Sequence, residues 1–435
     1  MGLYSSFYAS LSGLSTNASA LSVIGNNLAN LNTAGFKGAS SEFQDLFAAA
    51  IANQGTQGNG NPMQVGLGAS LGSVATNFSQ GSFQQTGNVT DMAMQGNGFF
   101  TLQNKQGSAV YTRNGNFTID KSGFLVDSQG NKVMGWNATN GVVNPGGLPT
   151  PIQLNMAGTS GGVATRNVEI IANLNSAAAT TSVFTSTVQI YDSLGATHSV
   201  TLSFQPTGTA GQWAVTGPAT VDGAAVAGIP AYLQFDNTGA LTGYIPAGGL
   251  ATDTPTTITG NNNPSISFTG FANGAADASV KWELATPNTT GSGFTAYFTS
   301  YASASTTSAT SQDGYGAGTV DSLTVDQNGV IIGNYTNGQT IPMGQVAVST
   351  FLNENGLSKV GGNNWIATVA SGTAAVGAAN QGGRGGVLGS NLELSNVDVA
   401  TELTRMIVNQ NGYQANSRVV TTANTLLQEV LNLVR

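Results

Sequence analysis

Not one of the first 36 residues carries an ionised side chain, and Lys37 is the first that does. So long an uncharged start leaves three choices: a membrane span, a cleaved leader, or a helix packed among other helices. Ser5, Ser6, Ser10, Ser12, Ser15, Asn17, Ser19 and Ser22 interrupt every apolar run. A leader needs an unbroken apolar centre and a span needs about 20 mostly apolar residues, so neither fits. The remaining choice is a helix, and the spacing supports it. Tyr4, Phe7, Leu11, Leu14, Ala18, Leu21, Gly25 and Leu28 step by alternate threes and fours, which draws one narrow apolar stripe along a helix. Asn26, Asn27, Asn30 and Asn32, with Thr33 and Gly35, are poor helix formers rich in turn chemistry, so the helix is expected to end near residue 30.

The other end repeats the device. Val399, Met406, Tyr413, Val420, Leu427 and Val434 recur every seven residues, with Leu403 and Leu431 at intervening seam positions. Gln410, Ser417 and Asn424 make the rest of that second row polar, a pattern that specifies register at some cost in stability. Asn396 or Asp398 is available to cap a helix of roughly 35 residues. The two helices could pair as a hairpin within one chain. The narrowness of both stripes points instead to helices of other copies, with both ends unfolded until those arrive.

At 435 residues the chain has room for two or three domains. After Lys37 a short helix is expected over Phe43, Leu46, Phe47, Ala50 and Ile51, followed by a mobile loop at 52–63. From residue 64 to about 395 the grammar is β. Five D-x-x-G turns, at 120–123, 127–130, 192–195, 236–239 and 326–329, lie between apolar or β-branched segments and read as hairpins. His198, Val200, Leu202 and Phe204 share one strand face, as do Val280, Trp282 and Leu284. Stretches rich in Ser, Thr, Ala and Gly at 157–182, 206–230 and 285–318 are expected to be exposed loops and joints. The expected architecture is mainly β with α-helical termini. Residues 161–314 form an outer antiparallel β domain inserted into an inner one built from 78–160 and 315–385.

Reactive chemistry is sparse. The chain has 12 basic and 20 acidic residues, a net charge of −8, one histidine and no cysteine. That rules out disulfides and thiolate metal sites, and it gives no basic stripe for nucleic acid or an anionic membrane. His198 reads as a structural group without a partner. The D-x-x-G turns lack the further acids of a calcium loop, and the glycine-rich pieces lack a phosphate-loop lysine. No catalytic, cofactor or metal site is expected, and no enzyme.

The segments "NNLANLNTAGFKG" at 26–38, "GNGFFTL" at 96–102, "YTRNGNFTID" at 111–120 and "LELSNVDVATELTRMIVNQNGYQANSRVVTTANTLLQEVLNL" at 392–433 closely resemble the bacterial flagellar rod and hook family. The motif positions are Asn26, Asn27, Asn30, Asn32, Thr33, Gly35, Phe36 and Lys37 at the start, and Ser395, Asn396, Val397 and Asp398 before the last helix. "VQIYDSLGATHSVTLSF" at 188–204 and "DGYGAGTVDSLTVDQNGVIIGNYTNGQTIPMGQVAV" at 313–348 look like its hook members rather than its rod members. The resemblance implies a structural subunit that polymerises into a curved tube outside the cell and transmits torque from rod to filament. Residues 1–31 and 396–435 would form the inner helical tube, and 32–77 with 386–395 would link it to the β domains. Implied partners are other copies of the chain, the distal rod, the hook cap, the hook–filament junction proteins and the flagellar type III exporter, which needs no cleaved signal. No cofactor, nucleic acid or membrane insertion is implied. A distal rod protein of the same family, or a secreted β-rich adhesin with helical ends, are the competing readings.

Overall fold

A computed structural model describes residues 2–46, 48–50, 64–139, 141–156, 158–259, 261–287 and 294–433. The chain is mainly β with one long helix at each end: α1 spans Gly2–Ala29 and α2 spans Val399–Leu433. No helix among the described residues is long and apolar enough to cross a membrane. The alternatives for the second cap are resolved by geometry. The Asp398 carboxylate accepts the Thr401 N–H at 2.7 Å, as an N-cap does, whereas Asn396 is engaged elsewhere.

Two compact units are present. The first comprises Met1–Met156, Ser322–Asn334 and Thr340–Arg435. Part of its main sheet runs, in order, through Thr340–Val346, Lys132–Asn137, Phe99–Gln103, Ala109–Thr112, Asn364–Ile366 and Ser358–Gly361. Phe99, Phe100, Leu102, Val133, Val346 and Val348 are fully buried there. Phe78, Phe99, Tyr111, Phe351 and Trp365 form an aromatic cluster of edge-to-face and tilted pairs at one end.

The second unit comprises Ala157–Asp321 and Tyr335–Gln339. It has a seven-stranded sheet that includes Ala278–Glu283 and Asn167–Asn173, and a six-stranded sheet centred on Gln212–Thr216 and Tyr232–Phe235. Alternate residues of both sheets share one core, with His198, Val200, Leu202 and Phe204 buried along one strand and Val280, Trp282 and Leu284 along another. All five D-x-x-G turns close with a glycine N–H donating to the aspartate carbonyl, and each glycine has a positive φ of 73–82°.

Three expectations are corrected. The helix over Phe43–Ile51 is absent. Ala39–Asp45 is a strand paired antiparallel with Ala69–Thr76, and Ala48–Ala50 pairs with Gln64–Gly66, while Phe47 and Ile51 lie outside the described residues. Phe43 and Leu46 are exposed, so a helical stripe there has no core to face. The hairpin instead lies along α1, where the Ala69 N–H donates to Ser12 Oγ at 3.1 Å. The segments 157–182, 206–230 and 285–318 are not merely loops. They supply Asn167–Asn173, Gln212–Thr216 and Thr306–Gln312, because Val168, Ile170, Ala172 and Leu174 alternate inward even among small polar neighbours. Nor is the sheet wholly antiparallel, since Asn167–Asn173 pairs parallel with Ala278–Glu283 and with Phe298–Thr299. The six-stranded sheet intervenes in sequence and provides the long crossover that parallel pairing needs. The loop at 52–63 lies outside the described residues.

Candidate functional site

α1 and α2 pack against each other within one chain, but not through the apolar seam of α1. The face that is covered carries Ser10, Thr16, Ala20, Ile24 and Asn27, all buried. The helices approach closely at Gly13, where an added Cβ would lie 2.6 Å from Asn416 Nδ2, and at Gly412, where it would lie 2.9 Å from Asn17 Oδ1. Positions 10, 13, 17, 20, 24 and 27 therefore form a heptad stripe one residue behind the apolar one. A polar face can be buried here because its hydroxyls are satisfied locally. Ser10 Oγ donates to the Ser6 carbonyl at 2.8 Å and Thr16 Oγ1 to the Ser12 carbonyl at 3.0 Å.

The apolar seam is only partly covered. Phe7, Leu14, Leu21 and Leu28 are only half-buried, Leu11 is 49% exposed, and Ala18 and Gly25 are exposed. A Cβ added at Gly25 would meet nothing within 4 Å. On α2, Met406, Val420 and Leu427 are half-buried, whereas Val399, Leu403 and Tyr413 are exposed, the last two by 45% and 42%. Ile407, Val408, Val419 and Leu426 are exposed as well. The side chains of Tyr4 and Leu431, and all of Val434, lie outside the described residues.

At the foot of α1 the asparagine-rich motif turns the chain into the β structure. The Asn27 side chain donates to the Ala39 carbonyl at 2.7 Å and accepts the Ala39 N–H at 3.0 Å, so it pairs with backbone as a strand would. Asn30 Nδ2 donates to the Asn26 carbonyl and Thr33 Oγ1 to Asn30 Oδ1, while Asn32 is exposed. Gly35 has φ +68°, and a Cβ there would lie 2.5 Å from the Asn114 nitrogen. Its N–H donates to the Glu393 carbonyl at 2.7 Å. From the other end of the chain, Asn396 accepts the Gly38 N–H at 2.9 Å and donates to the carbonyls of Asn77 and Ser79. Ser395 Oγ accepts the Val397 N–H at 3.3 Å, and Val397 packs on Gly38. Phe36 is buried, with the Lys359 ammonium 5.5 Å from its ring centroid.

Lys37, the charge that ends the uncharged run, is wholly buried. Its ammonium donates to Glu393 Oε1 at 2.7 Å and to the Ser79 carbonyl at 2.7 Å, and both side chains of the pair are 0% exposed. Arg113, also buried, has Nη1 3.7 Å from Glu393 Oε2 and its guanidinium 5.2 Å from the Phe99 ring centroid. Burial depresses the Lys37 and Arg113 pKa values, with Glu393 opposing the shift in both. Two cations thus share one carboxylate in a closed site. Arg113 and Glu393 were not singled out by sequence, although both sit inside distinctive motifs of a chain in which charge is rare.

Three curated proteins show where this arrangement belongs. Flagellar hook protein FlgE of Borreliella burgdorferi is 33% identical over 98% of this chain and 99% of its own length. That of Treponema pallidum is 34% identical over 99% of both chains. That of Salmonella typhimurium is 33% identical over 98% of this chain and all of its own length. The chain belongs to the flagellar hook protein family. Four family models match consecutive parts of it: "Flagella basal body rod protein" at 7–37, "Flagellar hook protein FlgE/F/G D1 domain" at 93–175, "Flagellar basal body protein FlaE D2 domain" at 163–315, and "Flagellar basal body rod FlgEFG protein C-terminal" at 389–433. In this hook-family chain the Lys37–Glu393 pair lies at the inner edges of the two terminal matches.

In the part that matches the D2 domain, His198 is not partnerless. Its Nδ1 lies 2.7 Å from Asp222 Oδ2 and its Nε2 lies 3.0 Å from Asp192 Oδ2, so as an imidazolium it bonds both carboxylates. Asp192 begins a D-x-x-G turn, whereas Asp222 sits with φ +46° before Gly223 in a two-residue hairpin loop. That Asp-Gly dipeptide, a strong hairpin signal, is the sequence feature that places the second aspartate. Burial works against charge on His198, and the two aspartates outweigh it and raise its pKa. Burial likewise opposes ionisation of Asp192, but bonds from Asn273, His198, Ala196 and Leu194 bring its pKa down to about 2. The histidine's contribution to stability is therefore complete below its unfolded pKa of about 6.5 and is lost as pH rises through the higher folded value. The Asp192 contribution is present above about 3.9 and is lost as pH falls towards 2. Amide exchange at Ile190 and Val200 in the full-length chain is expected to speed up between pH 6 and pH 9 after correction for intrinsic rates. His198→Asn should abolish that extra acceleration, and an unchanged pH profile in the variant would show that another group is responsible.

Proposed function

We propose that this chain is a structural subunit of the bacterial flagellar hook. It polymerises through its terminal helices into a curved tube that works as a universal joint between rod and filament. The observation that carries this reading is the partly exposed apolar seam on α1. One chain covers the Ser10–Asn27 face, and Phe7, Leu11, Leu14, Leu21 and Leu28 remain for helices of other copies. The intrachain pairing and the assembly seam are then different faces of one helix. The helix pair, small and polar at its contact, gains further order when copies meet.

In this reading residues 1–31 and 396–435 form the coiled-coil-like inner tube, and 32–77 with 386–395 are its link. Residues 78–160 with 315–385 form an inner β domain carrying the inserted outer domain 161–314. Tight helices resist twist, while polar small-residue contacts between outer domains slide during bending. The subunit is extracellular, delivered unfolded by the flagellar type III exporter without a cleaved signal, and meets the distal rod, hook cap and junction proteins at the ends of the tube. It performs no catalysis. The distal rod alternative is not favoured, since the full-length relatives are named as hook proteins.

The test is a chain lacking residues 396–435 in flagellated cells, with the region between basal body and filament imaged by electron microscopy. The expected result is a short curved tube from the full-length chain and none from the truncated one. Tubes built by the truncated chain would refute the proposed role of the helices.

A further inference from the structure

Where α2 begins, a groove runs between α1, α2 and the 39–45 strand, lined by Val23, Ile24, Ala39, Phe43, Glu402 and Arg405. Glu402 is its anomaly. The side chain is buried, Arg405 Nη1 bonds Oε1 at 3.2 Å, and Oε2 is buried with no hydrogen-bond partner. A buried carboxylate oxygen left without a donor is costly, and a structure that retains one invites a donor from outside.

The helices hold few candidates. α1 contains no charged residue, and α2 has two cations among its described residues, Arg405 and Arg418. Arg405 is committed to Glu402. Arg418 is exposed, its side chain makes no hydrogen bond or ion pair among the described residues, and the exposed apolar Val419 and Leu426 lie beside it. Packing α2 among other helices would strip water from Arg418 and leave it an unpaired cation unless an acceptor faces it. The other acid of α2, Glu429, is exposed and needs no donor.

We propose that Arg418 of one copy enters the groove of the next and donates to Glu402 Oε2, with Val419 and Leu426 covering Phe43 and Val23. This rests on assembly through the terminal helices and names the contact that sets its stagger. The two residues cannot meet within one chain, because 16 residues of one helix place them about 24 Å apart. The contact joins unlike patches on successive copies, so it is heterologous and generates an open series rather than a closed dimer. It fixes an axial offset of about 24 Å between neighbours whose α2 helices run parallel.

The chain has no cysteine, which makes the test clean. Full-length chains carrying Glu402→Cys and Arg418→Cys together are assembled in flagellated cells, and the isolated hooks are treated with a short bis-maleimide. A ladder of dimers, trimers and higher species is expected on a denaturing gel, with each single-cysteine variant staying monomeric. Hooks that assemble yet stay monomeric on the gel overturn the proposal, as does an equal ladder when Ala415→Cys replaces Arg418→Cys. A second series covers failure of the double variant to assemble. Arg418→Lys should build hooks at near-normal yield and Arg418→Met should lower the yield roughly tenfold or more, the size of one charged hydrogen bond. Normal yield from Arg418→Met overturns the proposal. Failure of the broader reading is separately visible, since it requires that chains lacking 396–435 still assemble.

Discussion

Replacing Glu393 with glutamine is expected to destabilise the chain by about 3 to 5 kcal/mol, the scale for removing one partner of a buried ion pair. The change leaves the Lys37 ammonium and the Arg113 guanidinium enclosed together without a counter-charge, in a site where both side chains of the original pair are fully covered. Lys37→Met should cost less, because Arg113 still faces the carboxylate at 3.7 Å. Replacing all three residues with apolar ones of similar volume should recover most of the loss, since desolvation cancels much of what the charges gain. Urea unfolding of the full-length chain, followed through the Trp365 region, gives the comparison. A loss of less than about 1 kcal/mol for Glu393→Gln would show that the site admits water in solution.

Changing Leu14 and Leu21 to serine together should strongly reduce tube formation while leaving the β domains of a single chain folded. Both side chains lie on the partly covered seam, not on the stripe that meets α2 at Gly13 and Asn17. Covering the part of each that one chain leaves exposed, roughly a third or less, is worth up to about 1 kcal/mol, so losing two weakens a subunit contact by up to about thirtyfold. The opposite pattern is expected on the other face. Gly13→Val drives its side chain into Asn416 and should loosen the helix pair before any question of assembly arises. Electron microscopy for tubes and circular dichroism for helix content separate the two effects. Normal tubes from the double serine variant would mean that the seam is not the assembly surface.

Much of this was legible in the sequence because it is local. A heptad stripe, an Asn-rich stop, an aspartate cap and five D-x-x-G turns each depend on residues within one or two turns of chain, and each sits where its chemistry puts it. The failures are non-local. Phe43 and Leu46 have helical spacing, but the strand there is dictated by a partner at 69–76 and by the side of α1 it rests on. The polar segments around Asn167–Asn173 and Gln212–Thr216 hid strands because their inward residues include alanine and their outward ones resemble loops. The candidate site was half visible. The seam was readable as a stripe, but that α2 would take the adjacent stripe depends on Gly13 and Gly412 permitting a close approach there. His198 looked solitary because its second aspartate lies 24 residues away.

The bond between Lys37 and Glu393 joins positions 356 apart. A chain delivered from its N-terminus presents the ammonium early and the carboxylate nearly last. Until then α1 and its hairpin have no stable seat, because seating them would enclose a charge with nothing to answer it. Closure of this pair therefore reports that the chain has arrived as far as residue 393. A chain cut short before residue 393 would keep the Lys37 ammonium without its carboxylate and leave that site open.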